Sequence, residues 1–336
     1  MHKPFVVQLA FRTPRATTNP YIVMLFDSLR ALPDVEVRTF SWPRALLGRY
    51  DVFHVHWPEI LVSGRRRIAV AGRVTLFLLL LVRLRVTSTP YVRTVHNLDL
   101  PRGLNRWQRL VLRLAERQTA LRIVLTPHTT VPAGARTALI PHGDYCTWFN
   151  GYARRPSEPG RVVFFGQVRH YKGLPALLAA YRDVSPGLSS LLVIAGLPTS
   201  DELAEELMRA ARDDERVQLR FEHLSDRDLV DEISRSQLVV LPHTHMHNSG
   251  SLLAALSLDR PVLVPDNAVN RELAAEVGTQ WVRRFDAPIA ADDLSEALTV
   301  AVGGDGSHPD LSARDWSRTG AAHLAAFRRA RENGRR

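Results

Sequence analysis

The chain reads as an α/β protein of two Rossmann-like βαβ domains facing a central cleft, and three observations predict it. Short apolar runs alternate with helical periodicities from end to end, the pattern of parallel strands joined by crossover helices. At 336 residues the chain exceeds the usual size of one compact domain. A polar stretch without periodicity, Asn150–Gly160 (NGYARRPSEPG), interrupts the alternation near the middle and marks a linker. The expected domains are 1–150 and 151–312, with a basic helix over 313–336 that crosses back to the first domain.

In the first domain, strands are expected at Phe5–Ala10, Val35–Phe40, Asp51–Trp57, Tyr91–Asn97, Arg122–Thr126 and Ala138–Pro141. Helical patterns fall between them at 20–31, 66–85 and 104–120. The first of these has Asn19 at the N-cap and Pro20 at N1, where the missing N–H costs nothing. The second domain restarts with strands at Val162–Gly166, Leu191–Ala195, Val217–Glu222, Leu238–Leu241 and Pro261–Pro265. Helices are expected at 174–182, 200–213, 226–236, 250–258, 269–277 and 291–302.

Composition excludes several classes. Hydrophobic residues make up 45% and charged residues 23%, which is not a disordered chain. The single cysteine, Cys146, excludes an intrachain disulfide and a cysteine-rich zinc module. Val74–Val82 is about half the ~20 apolar residues that span a bilayer, and the opening MHKPFVVQLAFRTPR reads as a strand rather than a signal peptide. The expected location is cytoplasmic, peripheral at the inner face of the cell membrane. The net charge of +10 divides into +13 for residues 1–150 and −3 for the remainder. That asymmetry points to an anionic surface. No recognition motif or aromatic–basic interleaving supports nucleic acid. The pattern through Arg65-Arg66-Arg67, Arg73, Arg83 and Arg85 suits either an interfacial helix on anionic lipid or a core helix whose arginines reach solvent.

Two segments carry chemistry. In FFGQVRHYKG, residues 164–173, a strand ends at Gly166, Gln167 follows, Arg169 and Lys172 supply cations, and a helix opens after Gly173. This fits a phosphate site, or an ordinary strand–turn–helix with solvated cations. In residues 241–265, Asn248, Ser249, Gly250 and Ser251 stand before an apolar helix, as an anion site or a plain N-cap. His243, His245 and His247 alternate along one face but lack the further ligands of a metal site.

These segments resemble the GT-B nucleotide-sugar glycosyltransferases of the large retaining family called family 4. Lys172 and Gly173 match the end of the family's G-R-x-x-x-x-K-G loop, and Pro242 with Ala255 and Arg260-Pro261-Val262 aligns with its donor segment. Gln167 stands at the family's Arg, and the acidic pair falls on Met246 and Ala254. The chain is more similar to bacterial exopolysaccharide and glycolipid mannosyltransferases. It shares N-P-Y at 19–21, H-V-H-W-P at 54–58, T-V-H-N at 94–97, P-H-G-x-Y at 141–145, Y-K-G at 171–173 and N-S-G-S at 248–251.

The resemblance implies a hexosyltransferase with GDP-mannose as donor and a lipid-linked or glycan acceptor. It implies no cofactor and no metal, because cations and helix dipoles neutralise the diphosphate. Lys172 and Arg169 would hold the diphosphate, with Glu222 and His223 where relatives hold the base. His96 would approach the donor sugar. His56, Trp57 and Asn97 fall on the acceptor side. Loss of the acidic pair favours inversion, for which Glu59 and Asp144 are the candidate bases. A nucleotide-sugar epimerase of the same fold and a non-catalytic sugar-nucleotide-binding subunit are the alternatives.

Overall fold

The computed structural model describes residues 3–15, 18–96, 101, 103–244, 246–299 and 307–333. The chain folds as two compact units, residues 1–143 with 314–336, and residues 144–313.

The first unit begins with β1 (Phe5–Leu9), α1 (Pro20–Arg30), β2 (Val35–Arg38), α2 (Trp42–Leu47) and β3 (Val52–Val55). It continues through α3 (Glu59–Val62), α4 (Arg67–Val86), β4 (Tyr91–Val95), α5 (Arg106–Gln118), β5 (Thr119–Val124) and β6 (Thr137–Leu139). The six strands form one parallel sheet in the order β2-β1-β3-β4-β5-β6. Asn19 caps α1 by accepting from Tyr21 N at 2.9 Å, and Asn105 with Gln108 makes a reciprocal capping box on α5. One side of the sheet is covered by α4 and α5, which bury Phe77, Leu80, Leu84, Val111 and Leu112 against Phe53, Val55 and Tyr91.

The second unit runs α6 (Cys146–Phe149), β7 (Arg161–Phe165), α7 (Leu174–Arg182), β8 (Leu191–Ala195), α8 (Asp201–Ala211) and β9 (Val217–Arg220). Then follow α9 (Asp226–Arg235), β10 (Leu238–Val240), α10 (Gly250–Leu256), β11 (Val262–Pro265), α11 (Ala268–Val277), β12 (Val282–Phe285) and α12 (Ala291–Thr299). Its parallel sheet has the order β12-β11-β10-β7-β8-β9.

The last helix, α13 (Trp316–Asn333), belongs to the first unit and packs on α1. Its Gly320 lies so near Ser28 that a Cβ would stand 3.0 Å from the serine. Its Phe327 ring lies 4.9 Å from His54.

Residues 150–160 are not a free linker. Arg154 pairs with Asp259 at 2.5 Å, Arg155 with Asp231 at 3.1 Å, and Gly160 N donates to Gln237 Oε1 at 2.6 Å. These bonds fasten the segment to the second unit, whose boundary lies at 143/144.

Candidate active site

In the second unit β7 and β10 are neighbours although two strands separate them in sequence. Such a reversal of strand order opens a crevice at the carboxyl ends, and the two chemistry-bearing segments meet there. Gly166 ends β7 with φ +111, and a Cβ on it would stand 3.4 Å from Ser251 Oγ. His170–Lys172 forms one 3-10 turn, followed by Gly173 at φ +67. A Cβ on Gly173 would sit 2.0 Å from the Pro242 carbonyl oxygen. Gly173→Ala therefore forces the segments apart and strains a left-handed backbone. The expected cost is about 2–3 kcal/mol, read as a lower urea midpoint, and an unchanged midpoint would contradict the close approach.

Lys172 Nζ donates to His243 Nε2 at 3.0 Å and lies 5.1 Å from the centroid of the Tyr171 ring. Accepting at Nε2 makes His243 a neutral ring with its proton on Nδ1. Burial, and then the Lys172 charge, lowers the His243 pKa to about 3. Burial, and then Arg169, lowers the Lys172 pKa to about 8. The ammonium thus meets only a neutral imidazole and an aromatic face, with no carboxylate among its described partners. Such a cation is poised to take an anion.

Gln167 and Arg169 are exposed in the same loop. Ser249 caps α10 by accepting from Leu252 N at 3.2 Å, and Gly250 is packed so that a Cβ would lie 2.9 Å from the Tyr145 hydroxyl. The Asn248 side-chain nitrogen is buried with no hydrogen-bond partner, which leaves a donor to offer. Glu222 and His223 are exposed beyond β9 at the sheet edge. The Glu222 carboxylate accepts from Arg220 Nη2 at 2.6 Å, and Arg220 also pairs with the buried Glu232.

The first unit gathers histidines at the carboxyl ends of β3 and β4. His56 Nδ1 lies 2.9 Å from His96 Nε2, and Trp57 stacks on His96 at 4.9 Å. Tyr21 meets His56, His96 and His142 edge-on or tilted, at 4.6–5.5 Å. Beneath them His54 Nε2 bonds Thr94 Oγ1 at 2.8 Å, and the His323 ring lies 5.8 Å from His54.

Hydrogen bonding settles several protons. His142 Nδ1 and His323 Nδ1 donate to the carbonyls of Gly143 and Thr319, at 2.7 and 2.8 Å. His56 Nε2 is buried without a partner. A bare lone pair there costs less than an orphaned N–H, so His56 carries its proton on Nδ1 and donates to His96. His96 then holds its own proton on Nδ1 and is a hydrogen-bond donor. Burial, and then His142, lowers its pKa to about 3.

Glu59 opens α3 two residues after Trp57, and burial raises its pKa against the opposing influence of its own backbone N–H and Arg93. Asp144 is different. It is buried in the second unit, and its Oδ1 accepts from Cys146 N at 2.8 Å, so its carboxylate holds the start of α6. Asn97 lies outside the described residues.

Residues 152–308 match the family model for glycosyl transferases group 1. The chain is also 40% identical over 318 residues, 94% of its length and 89% of the relative's, to a GDP-mannose:glycolipid 4-beta-D-mannosyltransferase of Xanthomonas campestris pv. campestris. The chain belongs to the group 1 glycosyl transferases. Among solved structures, this glycosyltransferase matches AviGT4 of avilamycin A biosynthesis at TM-score 0.62 and 15% identity, over 98% of each chain. It matches Anabaena HepE in complex with UDP and glucose at TM-score 0.60 and 15% identity, again over 98% of each. These likenesses show the GT-B fold, two Rossmann-like units. Two residues that their spacing in the sequence does not signal stand at these positions. His243 partners Lys172, whereas its place in an alternating histidine run signals only a metal face. Tyr21 sits behind an N-cap signal and carries no sign of the three rings it holds.

Proposed function

We propose that this glycosyltransferase moves mannose from GDP-mannose to a hydroxyl of a glycolipid, forming a β-linkage. The observation that carries the reading is the 40% identity to a GDP-mannose:glycolipid 4-beta-D-mannosyltransferase, because it extends over 94% of the chain rather than over the second unit alone.

Lys172 and Arg169 meet the donor diphosphate, with Gly166 and Gln167 at the end of β7 admitting it to the backbone. Asn248, Ser249, Gly250 and Ser251 supply donors to the sugar and phosphate, and Glu222 with His223 serves the nucleoside. In an inverting displacement the acceptor oxygen forms a bond to the anomeric carbon while the bond to the diphosphate oxygen breaks. The hydroxyl proton passes to Glu59, whose burial raises its basicity. The charge that develops on the departing diphosphate is stabilised by Lys172, a cation already desolvated before the reaction. His96 presents Nδ1–H to an acceptor oxygen of the hexose and takes no proton itself.

Contact with an anionic membrane through the first unit belongs to the same reading. That unit holds 28 Lys and Arg against 9 Asp and Glu, a net +19, while the second holds 16 against 25, a net −9. Ile68, Leu79, Val82 and Val86 on α4 and Trp107 and Leu110 on α5 are exposed among those arginines. No helix among the described residues is long and apolar enough to cross a membrane.

The test is transfer from radiolabelled GDP-mannose to a glycolipid in vesicles. The expected product is labile to β-mannosidase, with faster transfer in anionic than in neutral vesicles and a rate that falls with salt. An α-mannosidase-labile product would overturn the inversion. Conversion of the donor without any acceptor would overturn the transferase reading, and equal rates in both vesicles would overturn the membrane contact.

A further inference from the structure

In the first unit β1 lies between β2 and β3, so the connections leaving β1 and β3 diverge at their carboxyl ends. A reversal of this kind leaves a crevice between the two strands. A cavity of about 320 Å³ occupies that position. Its apolar wall includes Phe11, Phe40, Trp42, Trp57 and Leu61, and Ile60, 60% exposed, stands at its mouth.

The polar part of the lining is narrow in chemistry. Apart from the indole N–H groups of Trp42 and Trp57, its polar side chains among the described residues are Arg12, His56 and Arg73. Arg12 is exposed and has no carboxylate partner among the described residues, while Arg73 gives one guanidinium nitrogen to the Ser63 carbonyl. His56 is neutral, since burial and the neighbouring histidines hold its pKa well below the usual value. Among the described residues the lining contains no carboxylate, no side-chain amide and no hydroxyl. A sugar ring or a nucleoside base presents donors as well as acceptors and needs such groups to satisfy them. An apolar chain that ends in an anion needs neither: aromatic faces cover the chain and guanidinium groups meet the charge.

We propose that this cavity binds a long-chain alkyl or isoprenoid phosphate, the lipid end of the acceptor. The chain lies against Phe40, Trp42 and Leu61, and the phosphate is met by Arg12 and Arg73. His56 and Trp57 line the cavity and also contact His96, so the head of the lipid is delivered beside the candidate catalytic histidine. The identification of this ligand as the acceptor rests on the transferase reading above.

The experiment titrates the full-length chain with dodecyl phosphate, kept below its micellar concentration, by calorimetry and tryptophan fluorescence. Dodecyl phosphate is expected to bind one to one, with dodecanol and inorganic pyrophosphate each at least about 10-fold weaker. Arg12→Glu, a surface change, is expected to weaken dodecyl phosphate about 10-fold or more and leave dodecanol unchanged. Trp42→Ala is expected to weaken both. In the transfer assay the two variants raise the acceptor KM and leave donor affinity as it was. Displacement of dodecyl phosphate by a mannose disaccharide would overturn the inference in favour of a sugar subsite. Tight pyrophosphate binding equal to that of dodecyl phosphate would overturn it in favour of a plain anion site. Binding unaltered in both variants would place the lipid elsewhere. Failure to bind by a chain that transfers mannose overturns this inference alone, whereas binding by a chain that transfers nothing overturns the transferase reading alone.

Discussion

Lys172→Ala is expected to lower kcat/KM for the nucleotide-sugar donor roughly 30- to 1000-fold at pH 7, the effect of about 2–4 kcal/mol. The size follows from burial. Lys172 is half-buried against His243 and Tyr171, so its charge is little screened, and it meets no carboxylate that a diphosphate would have to displace. Arg169 is exposed, and Arg169→Ala is expected to cost no more than about 10-fold. The pH dependence has a definite sign. The free enzyme holds Lys172 at about 8, and a bound diphosphate raises that value, so donor binding takes up a proton. Donor affinity is therefore complete below pH 8 and falls as pH rises through it. Calorimetry in buffers of different ionisation enthalpy measures the uptake directly. Uptake that persists in Lys172→Ala, or affinity unchanged between pH 7 and 9, would assign the diphosphate to other groups.

The strand–turn–helix at residues 164–173 was legible because its signals are local. A glycine that must be left-handed, a lysine beside it and an apolar strand before it all fall within ten residues. The strands read well where apolar runs are unbroken. At β12 they are not: Val282 and Phe285 are buried, but Arg283 and Arg284 stand between them on an edge strand. The short helices α2 and α3 have six and four residues, too few for a period of 3.6 to appear. What could not be read is non-local. Asp144 follows a histidine at a strand end, as a base would, yet its carboxylate turns to the nitrogen of Cys146. Residues 150–160 have a linker's composition, but Arg154 and Arg155 find carboxylates more than 70 residues away. The charge asymmetry was visible as +13, and it reaches +19 because Asp144 falls to the second unit and residues 314–336, with seven Arg against Asp315 and Glu332, join the first.

The same gathering of distant residues makes the first unit acid-labile. His54, His56, His142 and His323 are all less than a tenth exposed, and burial lowers every one of their pKa values, those of His142 and His323 to about 4. In the unfolded chain each returns to about 6.5. A depressed folded-state value means that stability is complete above pH 6.5 and is lost as pH falls toward 4, because only the unfolded chain takes up protons in that window. At pH 5 the loss is about 2 kcal/mol for each of His142 and His323, or roughly 4 kcal/mol for the pair, and His54 and His56 add to it in the same direction, a large part of the stability of a domain. Urea midpoints at pH 7.5, 6 and 5 are expected to fall steeply, and His323→Gln, which has no proton to gain, to flatten the fall by about one proton. Nitrogen-15 shifts of the folded protein should show these rings neutral down to pH 5, with the His96 proton on Nδ1. Rings that titrate near 6.5 in the folded state would mean that water reaches the cluster. His96 would then be free to exchange its tautomer, and it would compete with Glu59 for the role of base.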